Sequence, residues 1–298
     1  MPLLVVALAL AGCGSGTSDS ATSRPGTLDA ILARPGPDVS LVQGTFDYAV
    51  GDVRVSFLVV DSKAALIAKP WATVWVGRSL ESIPLLTTRA RLEPIGIPGA
   101  SEAASGGATR IYVARFRLAR PGRYTIVAQP EGARIQGIGN LDVAAHPQAP
   151  GVGAKAVASR TPTLATTHGD PAPLTTANPP DRSLLRYSVA DSVRAHAPFV
   201  LVFATPKYCT SRTCGPTVDV VEAVQRRFAG SGVRFIHVEI YRDNDPAQGY
   251  NRWFREWGLV GEPFVFLVGR DGRIKARFVG SVSAGELATA VKARLLAS

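Results

Sequence analysis

The sequence predicts two domains of different class, an all-β module followed by an α/β module. Three observations predict it. Short alternating apolar runs separated by Gly/Pro turns occupy residues 39–145. From His146 to Asp181, seven of 36 residues are proline and none is aromatic. Beyond that stretch, continuous apolar runs alternate with helical spacing in the order β-α-β-α-β-β-α. The 298 residues, 46% hydrophobic and 19% charged, suffice for two packed cores and are too apolar for a disordered chain. No apolar run reaches the ~18 residues of a spanning helix, which excludes a polytopic membrane protein.

Leu3 to Ala11 form a short apolar run of the length of a signal-peptide core. Leu10-Ala11-Gly12-Cys13 follows and resembles the lipobox of bacterial lipoproteins. That resemblance implies a signal peptide over residues 1–12 and a lipid on Cys13, anchoring the protein to the outer face of the cell membrane. Met1-Pro2 lacks the Lys or Arg usual before such a run. Residues 13–38, opening with Gly14-Ser15-Gly16-Thr17-Ser18, read as a flexible tether.

In residues 39–145, Val53 to Val59 begin with strict alternation, as a half-buried strand should. Tyr112, Ala114, Phe116 and Leu118 alternate with Val113, Arg115 and Arg117, and Thr73 to Val76 is another β-rich run. Pro121-Gly122 makes a turn into the strand Arg123 to Ala128. This pattern suggests an immunoglobulin-like sandwich, and the stretch Leu118 to Tyr124 is similar to the late-strand entry of bacterial sandwich domains. With no histidine before His146, and Trp71 and Trp75 read as core or rim aromatics, the module is a spacer or a partner-binding unit. Residues 146–182 read as a semi-extended linker unable to build a core.

In residues 183–298, Phe199 to Phe203 is a strand buried on both faces. Gly215-Pro216 opens a helix with Val218, Val221, Val224 and Phe228 on one side. A strand runs from Val233 to Tyr241, and a short helix from Asn251 to Trp257. Phe264 to Val268 and Ile274 to Val279 flank the hairpin signal Asp271-Gly272, and a last helix spans Ala284 to Leu296.

Of the three cysteines, Cys209 and Cys214 lie where the first of these strands passes into its helix. A cysteine at a helix N-terminus ionises more easily, and Lys207 and Arg212 add positive charge nearby. A low-pKa thiol beside a second thiol is the arrangement that thiol–disulfide exchange needs. Five positions apart on an ideal helix the thiols would face about 140° apart, so part of the intervening segment must be a loop.

The element order, Phe203-Ala204 followed by Tyr208-Cys209, and Gly261-Glu262-Pro263-Phe264 before the hairpin resemble the thioredoxin-like superfamily over residues 183–298. The resemblance implies an exposed nucleophile at Cys209, a resolving thiol at Cys214 and a cis-proline at Pro263. It also implies that Tyr208 and Glu262 contact substrate and that Lys207 and Arg212 stabilise the thiolate. Three features depart from the family. Four residues, not two, separate the cysteines, and the first strand carries no acid. Cys214-Gly215-Pro216-Thr217 also reads as the family's Cys-Gly-Pro-Cys with its last cysteine replaced, a register that makes Cys214 the nucleophile. A negative Glu262 would oppose the effect of Lys207 and Arg212.

The implied activity is thiol–disulfide exchange on protein cysteines of the cell envelope, with no dissociable cofactor. Two alternatives stay open. One is a structural disulfide in a redox-inactive scaffold. The other is a copper chaperone similar to the Sco type, with Cys209, Cys214 and His237 as ligands. The formal charge of +10 is scattered, forms no basic helix or aromatic-interleaved strip, and points to no nucleic-acid partner.

Overall fold

A computed structural model describes residues 24–34, 36–95, 109–132, 137–208 and 214–297. The signal peptide and Cys13 lie outside the described residues, as do Cys209 and Arg212.

Within the expected tether, residues 28–32 form a helix. Helix α1 (Leu28–Leu32) starts at Thr27, whose side chain accepts a hydrogen bond from the Ala30 amide. Leu28 and Ile31 are buried against Val127, with Trp75 and Leu80 packed alongside. Apolar residues at i, i+3 and i+4 give this single turn a face to bury.

Eight strands follow: β1 (Ser40–Gln43), β2 (Tyr48–Ala49), β3 (Gly51–Val60), β4 (Trp71–Gly77), β5 (Leu86–Pro94), β6 (Arg110–Leu118), β7 (Gly122–Pro130) and β8 (Gly137–Ala144). Hydrogen bonding is continuous in the order β1-β3-β6-β5-β4-β7-β8-β2. The two layers of the expected sandwich are therefore joined into one sheet. It curls back on itself, since the Gln43 side chain of β1 donates to the Asn140 carbonyl of β8 at 2.6 Å. Val53, Val55, Phe57 and Val59 share one core with Val74, Val76, Tyr124, Ile126 and Leu141. Tyr124 is buried and its hydroxyl donates to the Arg120 carbonyl at 2.6 Å, pinning the turn into β7. Trp71 sits at the rim, with the Arg89 guanidinium 4.8 Å from its ring centre.

The C-terminal part contains α2 (Val189–Arg194), β9 (Phe199–Phe203), α3 (Cys214–Arg227), β10 (Arg234–Val238), α4 (Arg252–Glu256), β11 (Phe264–Val268), β12 (Ile274–Val279) and α5 (Ala284–Val291). The four strands form a sheet in the order β10-β9-β11-β12, with β9 and β10 parallel and the other pairs antiparallel. All residues of β9 and β11 are fully buried, because helices and loops cover both faces. Val200, Val202, Val265 and Leu267 share a core with α3 and α5, whereas Phe199, Leu201, Phe264 and Phe266 share one with Trp257 of the α4 end.

The proline-rich segment, expected to be a linker, is packed on this sheet. Ala156 donates to the Gly272 carbonyl and Ile274 to the Ala154 carbonyl, extending the β11–β12 hairpin. Ala149, Ser159, Thr161, Thr163, Leu174 and Thr175 are buried, and Trp257 Nε1 donates to Ser159 Oγ. The segment has no period because it forms neither helix nor strand. Its amides are satisfied partly by its own turns and partly, one at a time, by distant residues such as Gly272 and Ile274, and its prolines lower the entropy lost on ordering.

The two sheets are also clamped directly. Asp47, with 3% of its side chain exposed, pairs with Arg277 at 2.9 Å and accepts from the Gln148 and Ala149 amides. Arg54 pairs with Glu286 at 2.9 Å and donates to the Ser281 carbonyl. Arg115 also pairs with Glu286, whose carboxyl caps α5 through Ser283. Although burial alone would raise the Glu286 pKa, Arg54 and Arg115 hold it below the usual carboxylate range. Between β1 and β2, Gly44 meets Gly280 backbone to backbone. A Cβ on Gly280 would lie 1.6 Å from the Gly44 carbonyl oxygen, and its φ of +76° already favours glycine.

Candidate functional site

The candidate site lies where β9 runs into α3. Helix α3 begins at Cys214, which is fully buried and disulfide-bonded. Its partner cysteine lies outside the described residues. Pro216 falls in the first turn, where a missing N–H costs no intrahelical bond.

The loop leading toward Cys209 is held from two sides. On one side, the Thr205 amide donates to Glu262 Oε2, tying the loop to the residue before Pro263. The Glu262–Pro263 peptide bond is cis. On the other side, the Lys207 amide donates to Thr176 Oγ1 at 3.1 Å. Thr176 belongs to the proline-rich segment, and in turn donates through N (2.6 Å) and Oγ1 (2.8 Å) to Glu239 Oε1. Tyr208 is 37% exposed, and the Lys207 ammonium lies 5.1 Å from its ring centre.

Two carboxyls converge here. Glu239, just beyond β10, is 4% exposed, and its Oε2 is buried with no hydrogen-bond partner among the described residues. The Glu262 carboxyl is pushed up to about 8, chiefly by burial and further by the charge of Glu239, against the opposing Thr205 amide. At neutral pH Glu262 is therefore mostly protonated. It contributes little of the negative charge that the sequence suggested would oppose Lys207. Burial also raises the Tyr241 phenol, and Glu262 adds to the effect.

His237 is 5% exposed in β10, with Nε2 2.9 Å from the Ala204 carbonyl oxygen. A carbonyl acceptor requires the proton on Nε2, so this nitrogen fastens β10 to the end of β9. Among the described residues, no three His, Cys, Asp or Glu side chains group as metal ligands would.

Several site residues carry no sequence signal. Thr176 sits in a stretch without periodicity, and the Glu239 and Glu262 carboxyls are 23 positions apart in the chain. Phe46 comes from the other module. Its ring makes a T-shaped contact with Phe264, with centres 5.4 Å apart and planes at 79°. It also covers Gly261, where a Cβ would fall 2.9 Å from Phe46 Cε2 and Cζ.

No protein-family model matches the chain, and none of the curated proteins matches it. Among solved structures, it is similar to a thiol:disulfide interchange protein of the thioredoxin family from Chlorobium tepidum TLS. The identity is 18% and the TM-score 0.30, covering 47% of this chain and 99% of that one. It is also similar to the Lin-41 filamin domain, at 16% identity and TM-score 0.23, covering 38% of this chain and 98% of that one. A third similarity is to a CARDB domain from Pyrococcus furiosus, solved in complex with di-metal ions. The identity is 13% and the TM-score 0.19, covering 37% of this chain and 96% of that one.

Proposed function

We propose that the protein is a thiol–disulfide oxidoreductase that acts through Cys209 and Cys214 on protein cysteines outside the cytoplasm, anchored to the membrane by a lipid on Cys13. The observation that carries the reading is the burial of a disulfide-bonded Cys214 at the start of α3, behind a loop tied to the cis-proline segment. A fully buried sulfur suits the resolving role, which assigns attack to Cys209.

In the reductive direction, the Cys209 thiolate attacks one sulfur of a substrate disulfide. That S–S bond breaks, and the leaving sulfur takes the electron pair and then a proton. Cys214 loses its proton and attacks the Cys209 sulfur of the mixed disulfide. The substrate departs as a dithiol and the protein is left oxidised as the Cys209–Cys214 disulfide. The reverse sequence oxidises a substrate dithiol. Lys207 and the α3 N-terminus favour the thiolate throughout.

The test is trapping. Cys214→Ser should accumulate mixed disulfides between Cys209 and substrate proteins, and Cys209→Ser should not. A disulfide that stays closed across glutathione buffers of graded potential, with nothing trapped by either variant, would overturn the exchange reading. Cys13→Ser should move the protein from the membrane to the soluble fraction; unchanged membrane association would refute the anchor.

A further inference from the structure

The β module places an aromatic side chain beside the cis-proline segment. Phe46 is 37% exposed, whereas its neighbours Thr45 and Asp47 are 5% and 6% exposed. Both neighbours are locked in place. Thr45 Oγ1 lies 2.7 Å from Ser56 Oγ, and Asp47 is held by Arg277 and two backbone amides. Gly44 on the other side is pressed against Gly280, whose amide donates to the Pro263 carbonyl. The backbone that carries Phe46 is thus fastened to the same loop and strand ends that carry Pro263.

Between these anchors the Phe46 ring spans Gly261 and packs in a T-shaped contact with Phe264. Only part of it is used in that contact, and the rest faces solvent. Val260, the next residue on the cis-proline segment, is 42% exposed. Exposed apolar surface from two modules therefore flanks Gly261-Glu262-Pro263. The ion pair at the adjacent Asp47 is internally neutralised, since Asp47 and Arg277 answer each other.

We infer that Phe46 is a specificity-determining residue of the exchange site, an apolar wall against which the side chain flanking a substrate cysteine packs. The β module is then part of the substrate site, and the favoured substrate is a polypeptide with a large apolar residue beside its cysteine. This inference rests on the exchange reading above.

The experiment uses the full-length protein, reduced beforehand, as wild type, Phe46→Ala and Phe46→Leu. Second-order rates are measured against three disulfides: glutathione disulfide, a peptide disulfide with Leu beside each cysteine, and the same peptide with Ser at those places. Wild type should prefer the Leu peptide to the Ser peptide. Phe46→Ala should lose about tenfold on the Leu peptide, the scale of one apolar contact. It should stay within about twofold on the other two. Phe46→Leu should fall between and retains an apolar wall if the alanine variant does not fold. Equal rates for wild type and variants on the Leu peptide, or an equal loss on all three disulfides, would overturn the proposal. Failure of wild type to react with any of them would instead remove the exchange reading.

Discussion

Replacing Glu262 by glutamine tests the electrostatics of the site directly. The glutamine Oε1 can still accept the Thr205 amide, but the side chain cannot titrate. In the folded protein the carboxyl is pushed from 4.5 up to about 8, mainly by burial. Between those two values the folded state holds a proton that the unfolded chain has released. The stability contribution is therefore full below about 4.5 and is lost as the pH rises through 8. Each unit is worth ~1.4 kcal/mol, so raising the pH from 5.5 to 8.5 should cost wild type about 2–3 kcal/mol through this group, allowing for its partial exposure. Urea unfolding of the oxidised protein at several pH values provides the measurement. Wild type should lose stability across that window relative to Glu262→Gln, and the two should converge at low pH. Parallel pH profiles would refute the assignment of a buried, protonated Glu262.

Other consequences follow from the packing. Arg277→Ala strands Asp47, with 3% of its side chain exposed, and should cost about 3–5 kcal/mol in denaturant unfolding. A loss below ~1 kcal/mol would show that the clamp between the sheets does not hold in solution. Gly280→Ala cannot be accommodated against the Gly44 carbonyl, so the two sheets should separate, with a lower melting temperature and new protease cleavage between them. An unchanged melt and digest would contradict that close approach. Tyr124→Phe removes the hydroxyl bond to Arg120 and should cost about 1 kcal/mol in denaturant unfolding. No change would mean that the bond adds nothing over solvent.

Patterns of period 2 and continuous apolar runs were legible wherever an element buries a regular face. That is why β3, β6, β7, β9 and β11 stand out in the sequence, whereas β1, with pattern Ser-Leu-Val-Gln and mostly exposed, does not. The prolines of residues 146–182 suggested a linker, whereas Ala149, Ser159, Thr161, Thr163, Leu174 and Thr175 are buried. They were silent on where the segment would pack, since the bonds that dock it, such as Gly153 to the Ile274 carbonyl and Ala156 to the Gly272 carbonyl, come from residues distant in the chain. The helix Leu28–Leu32 within the expected tether was missed for a similar reason. One turn of helix is too short to show a period, and Leu28 and Ile31 are held by the sheet they cover.

The sequence by itself determined the two classes of module, the position of Cys214 at a strand-to-helix junction and the glycine-glutamate-proline segment before the hairpin. These are local properties, set by side-chain period and by the backbone restrictions of proline and glycine. Only the tertiary structure decided that Glu262 is mostly protonated at neutral pH, because its proton affinity depends on burial and on Glu239. Only the tertiary structure set Phe46 against Gly261, because they lie 215 positions apart in the chain. Contacts of that range leave no local pattern, because they depend on how the Asp47–Arg277 and Arg54–Glu286 pairs join the two sheets.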